Sequence, residues 1–367
     1  MKIIYLVSHA AVAGPINQAL NILTGLKLLG KIESKLVTMQ PESKQSWLYR
    51  YENNGIDYVQ LNPHRKASIK TCARQLNQYI KDNNVNVIHA SGFSACFVAL
   101  LGHGSAKVVI TQRCYPNELA EELPKLVRPI VNRLYLWIIK RVDAVVACSY
   151  SMQMAFKKQV GLNFKVVQNG VNTSYFKPVS VEQKRTLREE LGLPIDKKFF
   201  LVLGVLLERK NNVLIVEAFN KIANSDSVCV FVGGGPQETI LRNKALNNDN
   251  ILFVGSTTRP IEYLQAADVL ISSSLAEGLP NTVLEALACG LPSILSDIDP
   301  HKELVEGTSA GVLFKNNDVN DLCRAILNTS GWDMLQMSKE ARQIAENKFS
   351  LLSLAKKYEC IYQETIK

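Results

Sequence analysis

Short runs rich in aliphatic and β-branched residues alternate with longer helical patterns along almost the whole chain. In the first half these runs lie at 3–7, 34–39, 85–90, 106–111, 143–149 and 164–170, with helical patterns such as 16–29, 70–83 and 149–159 between them. A second series lies at 199–204, 228–235, 251–255, 268–274 and 292–297. Strands that alternate with helices in this way are typical of parallel α/β architecture. The sequence therefore predicts an α/β protein with doubly wound sheets.

The chain has 367 residues, about twice the usual size of one domain, which favours two domains with a ligand between them. Near Gly170 the segment VQNGVNTSYFKP contains turn-forming residues and a proline, and it separates the two series of strands. We predict an N-terminal domain at 1–175 and a C-terminal domain at 176–349. The last segment, about 350–367, has the pattern of an amphipathic helix, with Leu351, Leu354, Tyr358 and Ile361 along one face.

The composition is that of an ordinary folded protein, with 47% apolar and 20% charged residues and no apolar run long enough to cross a membrane. The early run IIYLV is short and an amphipathic pattern follows it, so it predicts a first strand rather than a signal peptide. The eight cysteines lie singly, without a CxxC pair. This spacing favours reduced thiols in the cytoplasm over disulfides or a zinc site.

The positive charge is concentrated in the N-terminal half. Residues 1–177 contain 22 Lys and Arg against 9 Asp and Glu, a net +13, whereas residues 178–367 contain 20 against 24, a net −4. Such asymmetry favours an anionic partner for the first half, either a membrane surface or a phosphate-bearing acceptor. A basic surface that serves only solubility is the alternative.

One segment of this half has the composition of an interfacial helix. Residues 123–143 set Lys125, Arg128, Arg133, Lys140 and Arg141 among Leu, Val, Ile, Tyr and Trp residues. A proline at position 129 is expected to divide the segment into two shorter pieces. Packing of the apolar side against the sheet of the N-terminal domain is the alternative to a membrane contact.

Two glycine-bearing strand ends in the second half are candidate phosphate-binding segments. LGVLLERKNN places Arg209 and Lys210 just before a helix, where fixed positive charge adds to the helix N-terminus. VGGGP at 232–236 lets the backbone approach a ligand closely. Neither segment matches the GxGxxG dinucleotide-binding fingerprint, and no glycine-rich turn of that spacing follows the first strand. This disfavours nicotinamide chemistry.

The most informative segment is SSSLAEGLPNTVLEALACGLPSILSD. It places Glu277 in the loop between a strand and a helix, and Glu285 inside that helix, which Gly290 ends. The two carboxylates would then bracket a helix N-terminus, an arrangement that fits a sugar–diphosphate–nucleoside with hydroxyls at both ends and phosphates in the middle. The alternative is that Glu285 is a solvated residue of the helix, and that Glu277 is a negative charge at the helix start that interacts favourably with the helix dipole.

These segments resemble the retaining family 4 glycosyltransferases. EGLPNTVLEALACGLP matches their E-x7-E signature, and VQNGVNTSYFKP, LGVLLERKN, VGGGP and FVGSTTRPIEYLQAADVLISSS follow the family's order. The resemblance implies the GT-B fold, two Rossmann-like doubly wound domains that face a central cleft. It also implies that the C-terminal helix packs back on the N-terminal acceptor-binding domain, while the C-terminal domain binds the nucleotide-sugar donor.

The resemblance also implies roles for individual residues. Glu277 would contact the donor sugar, Glu285 the ribose, and Arg209 and Lys210 the diphosphate, whose charge they would stabilise on departure. The resemblance further implies that the backbone N–H groups of Gly278 and Leu279 complete the anion site and that Gly14 approaches the phosphates from the other domain. It places Val254 where the pocket for the nucleotide base forms.

Two positions depart from the family pattern. Val205 stands where many relatives have an arginine, and Gln112-Arg113 where many have a histidine. Arg113 is expected to donate to the sugar or phosphate, and its permanent charge excludes it as a base. A retaining front-face reaction needs no base of the enzyme if the leaving diphosphate accepts the proton. Of the histidines near strand ends, His9 could reach the cleft, and His89 is expected to be packed.

The sequence therefore predicts a hexosyltransferase, either cytoplasmic or peripheral to the inner face of the cytoplasmic membrane. The predicted enzyme uses a nucleoside-diphosphate-sugar and a glycan or lipid-linked glycan acceptor. Bacterial surface polysaccharide synthesis is the expected setting. We expect no cofactor, no metal and no nucleic-acid partner. A GT-B nucleotide-sugar epimerase and a non-catalytic nucleotide-sugar-binding relative are the alternatives, and the sequence does not select the sugar, base or linkage.

Overall fold

The computed structural model describes residues 1–115, 126–222, 226–246 and 248–367. Its strands are β1 Lys2–Val7, β2 Glu33–Thr38, β3 Tyr58–Gln60, β4 Val87–Ala90, β5 Lys107–Gln112, β6 Ala144–Ala147, β7 Lys165–Val166, β8 Lys198–Leu203, β9 Ser227–Val232, β10 Ile251–Gly255, β11 Val269–Ser272, β12 Ser293–Ser296 and β13 Gly311–Phe314. Its α-helices are α1 Gly14–Leu29, α2 Leu48–Asn53, α3 Ile69–Asn83, α4 Phe93–Gly102, α5 Arg128–Ile139, α6 Tyr150–Val160, α7 Val181–Glu190, α8 Asn212–Lys221, α9 Glu238–Lys244, α10 Pro260–Ala266, α11 Asn281–Ala288, α12 Asp299–Val305, α13 Val319–Asn328, α14 Met334–Phe349 and α15 Leu351–Ile366. Short 3-10 turns lie at Glu208–Lys210 and Thr329–Gly331.

The chain divides into two compact units. The first contains Met1–Gly170 and Leu351–Lys367, and the second contains Val171–Ser350. The division lies at Gly170 rather than at 175, because Val171 N–H donates to the Phe349 carbonyl at 2.8 Å and the segment that follows packs with the second unit.

Among the described residues, the sheet of the first unit has seven parallel strands in the order β3-β2-β1-β4-β5-β6-β7. The order reverses beside β1, as in a doubly wound fold. Helices α1 and α15 cover one face, where Tyr5, Leu23, Leu354 and Tyr358 share a buried core. The two helices approach closely at Gly25, where a Cβ atom would lie 2.4 Å from the Leu351 carbonyl oxygen.

Helix α15 carries the apolar face that the sequence predicted. Its residues Leu351, Leu354, Tyr358 and Ile361 are all buried. A polar network also joins α15 to the sheet, because His89 contacts the Tyr362 hydroxyl at 2.7 Å through Nδ1 and the Thr111 hydroxyl at 2.6 Å through Nε2. Burial lowers the pKa of His89 well below its ordinary value. His89 is therefore a packed histidine, as predicted.

In the part of the second unit that the structure describes, six parallel strands lie in the order β10-β9-β8-β11-β12-β13, again reversed beside the first strand of the unit. Its core contains Phe200, Phe231, Ile215 and Ile294. The predicted α/β architecture with two doubly wound sheets is confirmed. Because all strands are parallel, the loops after β8, β9, β11 and β12 gather at one edge, which is where such sheets bind ligands.

Pro129 does not divide the basic segment of the first unit. It lies in the first turn of α5. Backbone N–H groups of the first turn have no acceptor within the helix, so a proline there breaks no helical hydrogen bond. Residues 123–125 lie outside the described residues. Within the part of the chain that the structure describes, no helix combines the length and the apolarity needed to cross a bilayer.

Candidate functional site

Two loops of the second unit are fastened together at the carboxyl edge of its sheet. The loop after β8 carries Arg209 and Lys210 in a 3-10 turn, and the loop after β11 leads to α11. Leu275 N–H donates to the Arg209 carbonyl at 2.8 Å, and the Ser273 hydroxyl contacts the Lys210 and Asn211 carbonyls at 3.0 and 2.9 Å. These bonds fix the backbone that bears the two cations.

Glu277 is the centre of a charged cluster formed by these loops. Its Oε1 accepts from Lys210 Nζ at 2.5 Å and from the Ser274 hydroxyl at 2.8 Å, and its Oε2 accepts from Arg209 Nη1 at 3.2 Å. The Glu277 side chain is only 8% exposed, whereas those of Lys210 and Arg209 are 21% and 46% exposed. The carboxylate is thus buried beneath cations that still face solvent.

The environment keeps Glu277 ionised. Burial alone would raise the pKa of its carboxyl group, but the charges of Lys210 and Arg209, together with the hydrogen bonds from Lys210 and Ser274, outweigh it and lower the pKa to about 2. At neutral pH Glu277 can therefore accept hydrogen bonds, and it holds no proton to donate as an acid.

A small pocket lies beside this cluster, between the end of β8 and the start of α11. It is lined by Gly204, Val205, Lys210, Ser274 and Thr282, among others. Val205, which departs from the family pattern, is 57% exposed. An anion in this pocket would meet the Lys210 ammonium and the N-terminus of α11, a favourable environment for negative charge.

The glycines of the VGGGP segment approach protein backbone rather than open space. A Cβ atom at Gly233 would lie 1.9 Å from the Gly204 carbonyl oxygen, and one at Gly235 would lie 2.6 Å from the Leu206 carbonyl oxygen. Both residues also have φ above +140°. These two glycines therefore allow the loop after β9 to pack against the loop after β8, which supports the pocket from behind.

The structure places the other predicted donor-site residues around the same sheet edge. Gly278 and Leu279 lie between Glu277 and α11, and Glu285 lies half-buried within α11. Val254 is 39% exposed and sits at an irregularity in the pairing of β10 with β9.

Gly14 and Arg113 belong to the first unit. Gly14 is the exposed first residue of α1, and Arg113 follows β5, where its Nη1 donates to Asn169 Oδ1 at 2.5 Å. Asn169 itself is 6% exposed. Both predicted residues thus lie at the carboxyl edge of their own sheet. His9 is exposed in the loop before α1.

Sequence reasoning missed two residues near Glu277. Ser274 donates directly to the carboxylate, and the polar run SSS after a buried strand was the signal that could have found it. His301, in the first turn of α12, is fully buried close to Ser272 and Ser296. A histidine after Asp-Pro carries no such signal, since the packing of α12 decides its surroundings. Among the described residues, no group of His, Cys, Asp and Glu side chains is arranged to hold a metal ion.

The family comparisons agree with the motifs. The protein family described as "Glycosyl transferases group 1" matches residues 183–348, and the family described as "Glycosyltransferase Family 4" matches residues 37–175. The first match lies within the second unit and includes Arg209, Glu277 and Glu285. The two matches, each over less than half of the chain, support the assignment of this protein to the group 1 and family 4 glycosyltransferases.

Two curated bacterial relatives illustrate the similarity. UDP-Gal:alpha-D-GlcNAc-diphosphoundecaprenol alpha-1,3-galactosyltransferase of Escherichia coli is 30% identical over 215 residues, which cover 56% of this chain and 55% of that protein. Putative teichuronic acid biosynthesis glycosyltransferase TuaC of Bacillus subtilis (strain 168) is 32% identical over 185 residues, which cover 50% of this chain and 46% of that protein. The chain thus spans about half the length of these relatives.

Solved structures match the whole chain at lower identity. A glycosyltransferase from Rickettsia africae ESF-5 has a TM-score of 0.80 at 21% identity and covers 100% of this chain and 98% of its own. Anabaena Alr3699/HepE in complex with UDP and glucose has a TM-score of 0.82 at 17% identity and covers 99% of both chains. These likenesses confirm the predicted GT-B fold.

Proposed function

We propose that this protein transfers a sugar from a nucleoside-diphosphate-sugar to a glycan or lipid-linked glycan acceptor. The observation that carries the proposal is the cluster of Glu277, Arg209 and Lys210 beside the N-terminus of α11. The names of the relatives support the substrate classes, because one is named for UDP-Gal and a diphosphoundecaprenol-linked sugar. Structures of Anabaena Alr3699/HepE contain UDP or UDP-glucose.

The proposed donor lies along the carboxyl edge of the second sheet. Arg209 and Lys210 bind the diphosphate, and the N–H groups of Gly278 and Leu279 add donors at the helix N-terminus. Glu277 accepts hydrogen bonds from hydroxyls of the sugar. In the same proposal Glu285 binds the ribose hydroxyls and Val254 contacts the base.

The ion pairs of Glu277 do not prevent the two cations from binding a diphosphate. An ammonium has three N–H donors and a guanidinium has five, so each cation can keep its bond to Glu277 while it donates to a phosphate oxygen. The solvent-exposed parts of Arg209 and Lys210 are available for this second contact. Glu277 then orients the cations as well as the sugar, and its loss removes both effects.

We propose a front-face reaction that retains the anomeric configuration. The bond between the sugar C1 and the diphosphate oxygen breaks while the acceptor hydroxyl attacks from the same side, and the acceptor proton passes to the departing diphosphate. Arg209 and Lys210 stabilise the negative charge that develops on the leaving group. Because they supply this charge, the proposed reaction needs no metal ion. Glu277, being ionised, acts by hydrogen bonding and electrostatics.

A panel of nucleotide-sugars, varied in base and sugar, tests the function. The protein is incubated with each donor, with and without a diphosphoundecaprenol-linked N-acetylhexosamine, and in the presence of EDTA. We expect acceptor-dependent release of nucleoside diphosphate, sugar on the acceptor with retained anomeric configuration by NMR, and no effect of EDTA. An isomerised sugar formed without acceptor would indicate an epimerase instead. Binding of donor without any turnover would indicate a non-catalytic relative.

The acceptor side of the proposal rests on the first unit. Helix α5 buries Tyr135, Ile138 and Ile139, as expected if one side of it packs within the N-terminal domain. Ile130 and Trp137, however, remain 68% and 39% exposed. These two lie seven positions apart and so share a helix face. The exposed cations Arg133, Lys140 and Arg141 flank them, and Arg141 stacks on Trp137 at 4.2 Å.

Exposed apolar and basic side chains that alternate on one helix suit the surface of an anionic bilayer. We therefore propose that α5 holds the protein at the inner face of the cytoplasmic membrane, where a lipid-linked acceptor would be presented. This contact is peripheral, and each basic residue near the surface contributes about 1 kcal/mol.

A further inference from the structure

His301 is a fully buried histidine that lies behind the donor cluster. Its Nδ1 is 2.9 Å from the Ser296 carbonyl oxygen and 3.1 Å from the Ser296 hydroxyl, and its Nε2 is 3.5 Å from the Ser272 hydroxyl. Ser296 ends β12, and Ser272 ends the neighbouring strand β11. The imidazole therefore joins the ends of the two strands that precede α12 and α11.

The hydrogen positions along this contact follow from the partners. A carbonyl oxygen only accepts, so His301 Nδ1 carries a hydrogen and donates it to Ser296. Burial lowers the pKa of His301 to about 4, so the ring is neutral at physiological pH and Nε2 is an acceptor. The tautomer with hydrogen on Nδ1 is thus defined by the structure.

The bonds continue from Ser296 to Glu277. The Ser296 hydroxyl donates to the Ser274 carbonyl at 2.6 Å, and the Ser274 hydroxyl donates to Glu277 Oε1 at 2.8 Å. The Ser272 hydroxyl lies 3.2 Å from that of Ser274 and provides a second, longer connection to the imidazole. Ser274 is held through its carbonyl and contacts the carboxylate through its hydroxyl, so its backbone position sets the direction of the bond to Glu277.

We propose that His301 is a positioning residue for Glu277, acting through Ser296 and Ser274. This inference rests on the proposed function of Glu277 and extends it to residues that touch no substrate. Buried polar side chains in such a series hold one arrangement because each alternative leaves a buried donor or acceptor without a partner. The series fixes Glu277 against the pull of Arg209 and Lys210, which face the solvent side.

The test compares variants that keep or remove the Nδ1-type donor. His301→Asn retains an N–H at the position of Nδ1, whereas His301→Leu fills the space without a donor, and Ser296→Ala breaks the next bond. We expect His301→Leu and Ser296→Ala to lower kcat about tenfold or more, with His301→Asn closer to wild type. The Kd for free nucleoside diphosphate is expected to rise by a much smaller factor than kcat falls, because Arg209 and Lys210 still bond to phosphate while the contact of Glu277 with the sugar is lost.

Two matched substitutions serve as controls. Ser293→Ala removes another buried hydroxyl of β12, which contacts the Leu291 carbonyl instead. His103→Asn alters a histidine of the first unit whose Nδ1 also faces a carbonyl, that of Ala106 at 3.1 Å. Both variants should keep the wild-type kcat. Imidazole 15N NMR of the wild type should show His301 neutral with hydrogen on Nδ1 from pH 6 to pH 8, a range that begins about two units above the pKa of His301.

The outcomes separate this inference from the proposed function. If Glu277→Ala is inactive while folded His301→Leu and Ser296→Ala keep the wild-type kcat, the positioning role is wrong and the function stands. Equal losses in kcat and in nucleoside diphosphate affinity would reduce His301 to a structural residue, as would an Nε2-protonated ring in the NMR spectrum. If His301→Leu does not fold, Ser296→Ala decides. Absence of turnover in the wild type would remove the proposed function and this inference with it.

Discussion

At the scale of single residues, Glu277 combines burial with strong charge. Its folded-state pKa of about 2 lies below its ordinary value of 4.5, so ionisation of Glu277 stabilises the fold above about pH 4.5. This contribution is lost as the pH falls from about 4.5 towards 2, because the protonated form no longer neutralises Lys210 and Arg209. The difference between these two pKa values corresponds to a contribution of about 3 kcal/mol to the free energy of unfolding at neutral pH.

The variant Glu277→Gln is expected to lose this pH dependence. The free energy of unfolding of the second unit can be followed through Trp332, which packs on its core, in a background where Trp47 and Trp137 are phenylalanine. The free energy of unfolding should be higher with Glu277 than with Glu277→Gln, and the difference between the two should be largest at pH 7. That difference should shrink between pH 4.5 and pH 3. A difference that stays constant over this range would contradict the depressed pKa.

Arg209 and Lys210 are predicted to bind the diphosphate in addition to neutralising the buried Glu277 carboxylate. Replacing both by alanine should weaken binding of a nucleoside diphosphate by about 2 kcal/mol or more, the scale of lost charge-assisted hydrogen bonds, and leave nucleoside binding little changed. Calorimetry with the two ligands measures this. Arg324→Ala with Lys339→Ala removes the same charge from exposed positions of the same unit and is the control. Equal losses for both ligands would refute the assignment.

The sequence indicated Glu277, Arg209 and Lys210 as site residues, but it did not indicate that they bond to one another. Arg209 and Glu277 are 68 positions apart, and only the pairing of β8 with β11 brings their loops together. The same is true of His301, which reaches the site through the packing of α12. Motifs identify residue types at strand ends, whereas strand order decides which ends become neighbours.

At the scale of elements, most strands could be predicted from short aliphatic runs. The prediction missed β3 and β13, because β3 has three residues and β13 begins with a glycine, so neither gives a β-branched run. The run at 164–170 was predicted as one strand, but β7 contains only Lys165–Val166. The end of this run is hydrogen-bonded to side chains rather than to a neighbouring strand. Gln18 and Asn21 donate to the Gly170 carbonyl at 2.9 and 2.8 Å.

Helix α5 gives a prediction that belongs to this scale. The protein should co-sediment with anionic vesicles at low salt and be released as salt rises, because bilayer charge is screened. Ile130→Ser with Trp137→Ser should reduce binding, as should Arg133→Gln with Lys140→Gln. Leu335→Ser, at a position 82% exposed in the second unit, is the matched control. Equal binding to neutral and anionic vesicles would remove the membrane proposal and leave the donor site unaffected.

At the scale of the whole molecule, the two units differ in charge and in the family descriptions that match them. The family 4 match falls mainly on the first unit, which holds most of the +13 half of the sequence. The group 1 match falls on the second unit, which holds the Glu277 cluster. This division supports the proposal that the acceptor and the donor are recognised by different parts of one chain.

Transfer by Glu277→Ala tests the central claim most directly. With the donor and acceptor that the wild-type protein uses, kcat should fall about 100-fold or more, because the variant loses both the sugar contact and the alignment of the two cations. Glu306→Ala, which removes an exposed carboxylate from the end of α12, should keep the wild-type kcat. Circular dichroism should show both variants folded. A folded Glu277→Ala with wild-type kcat would contradict the proposed donor site.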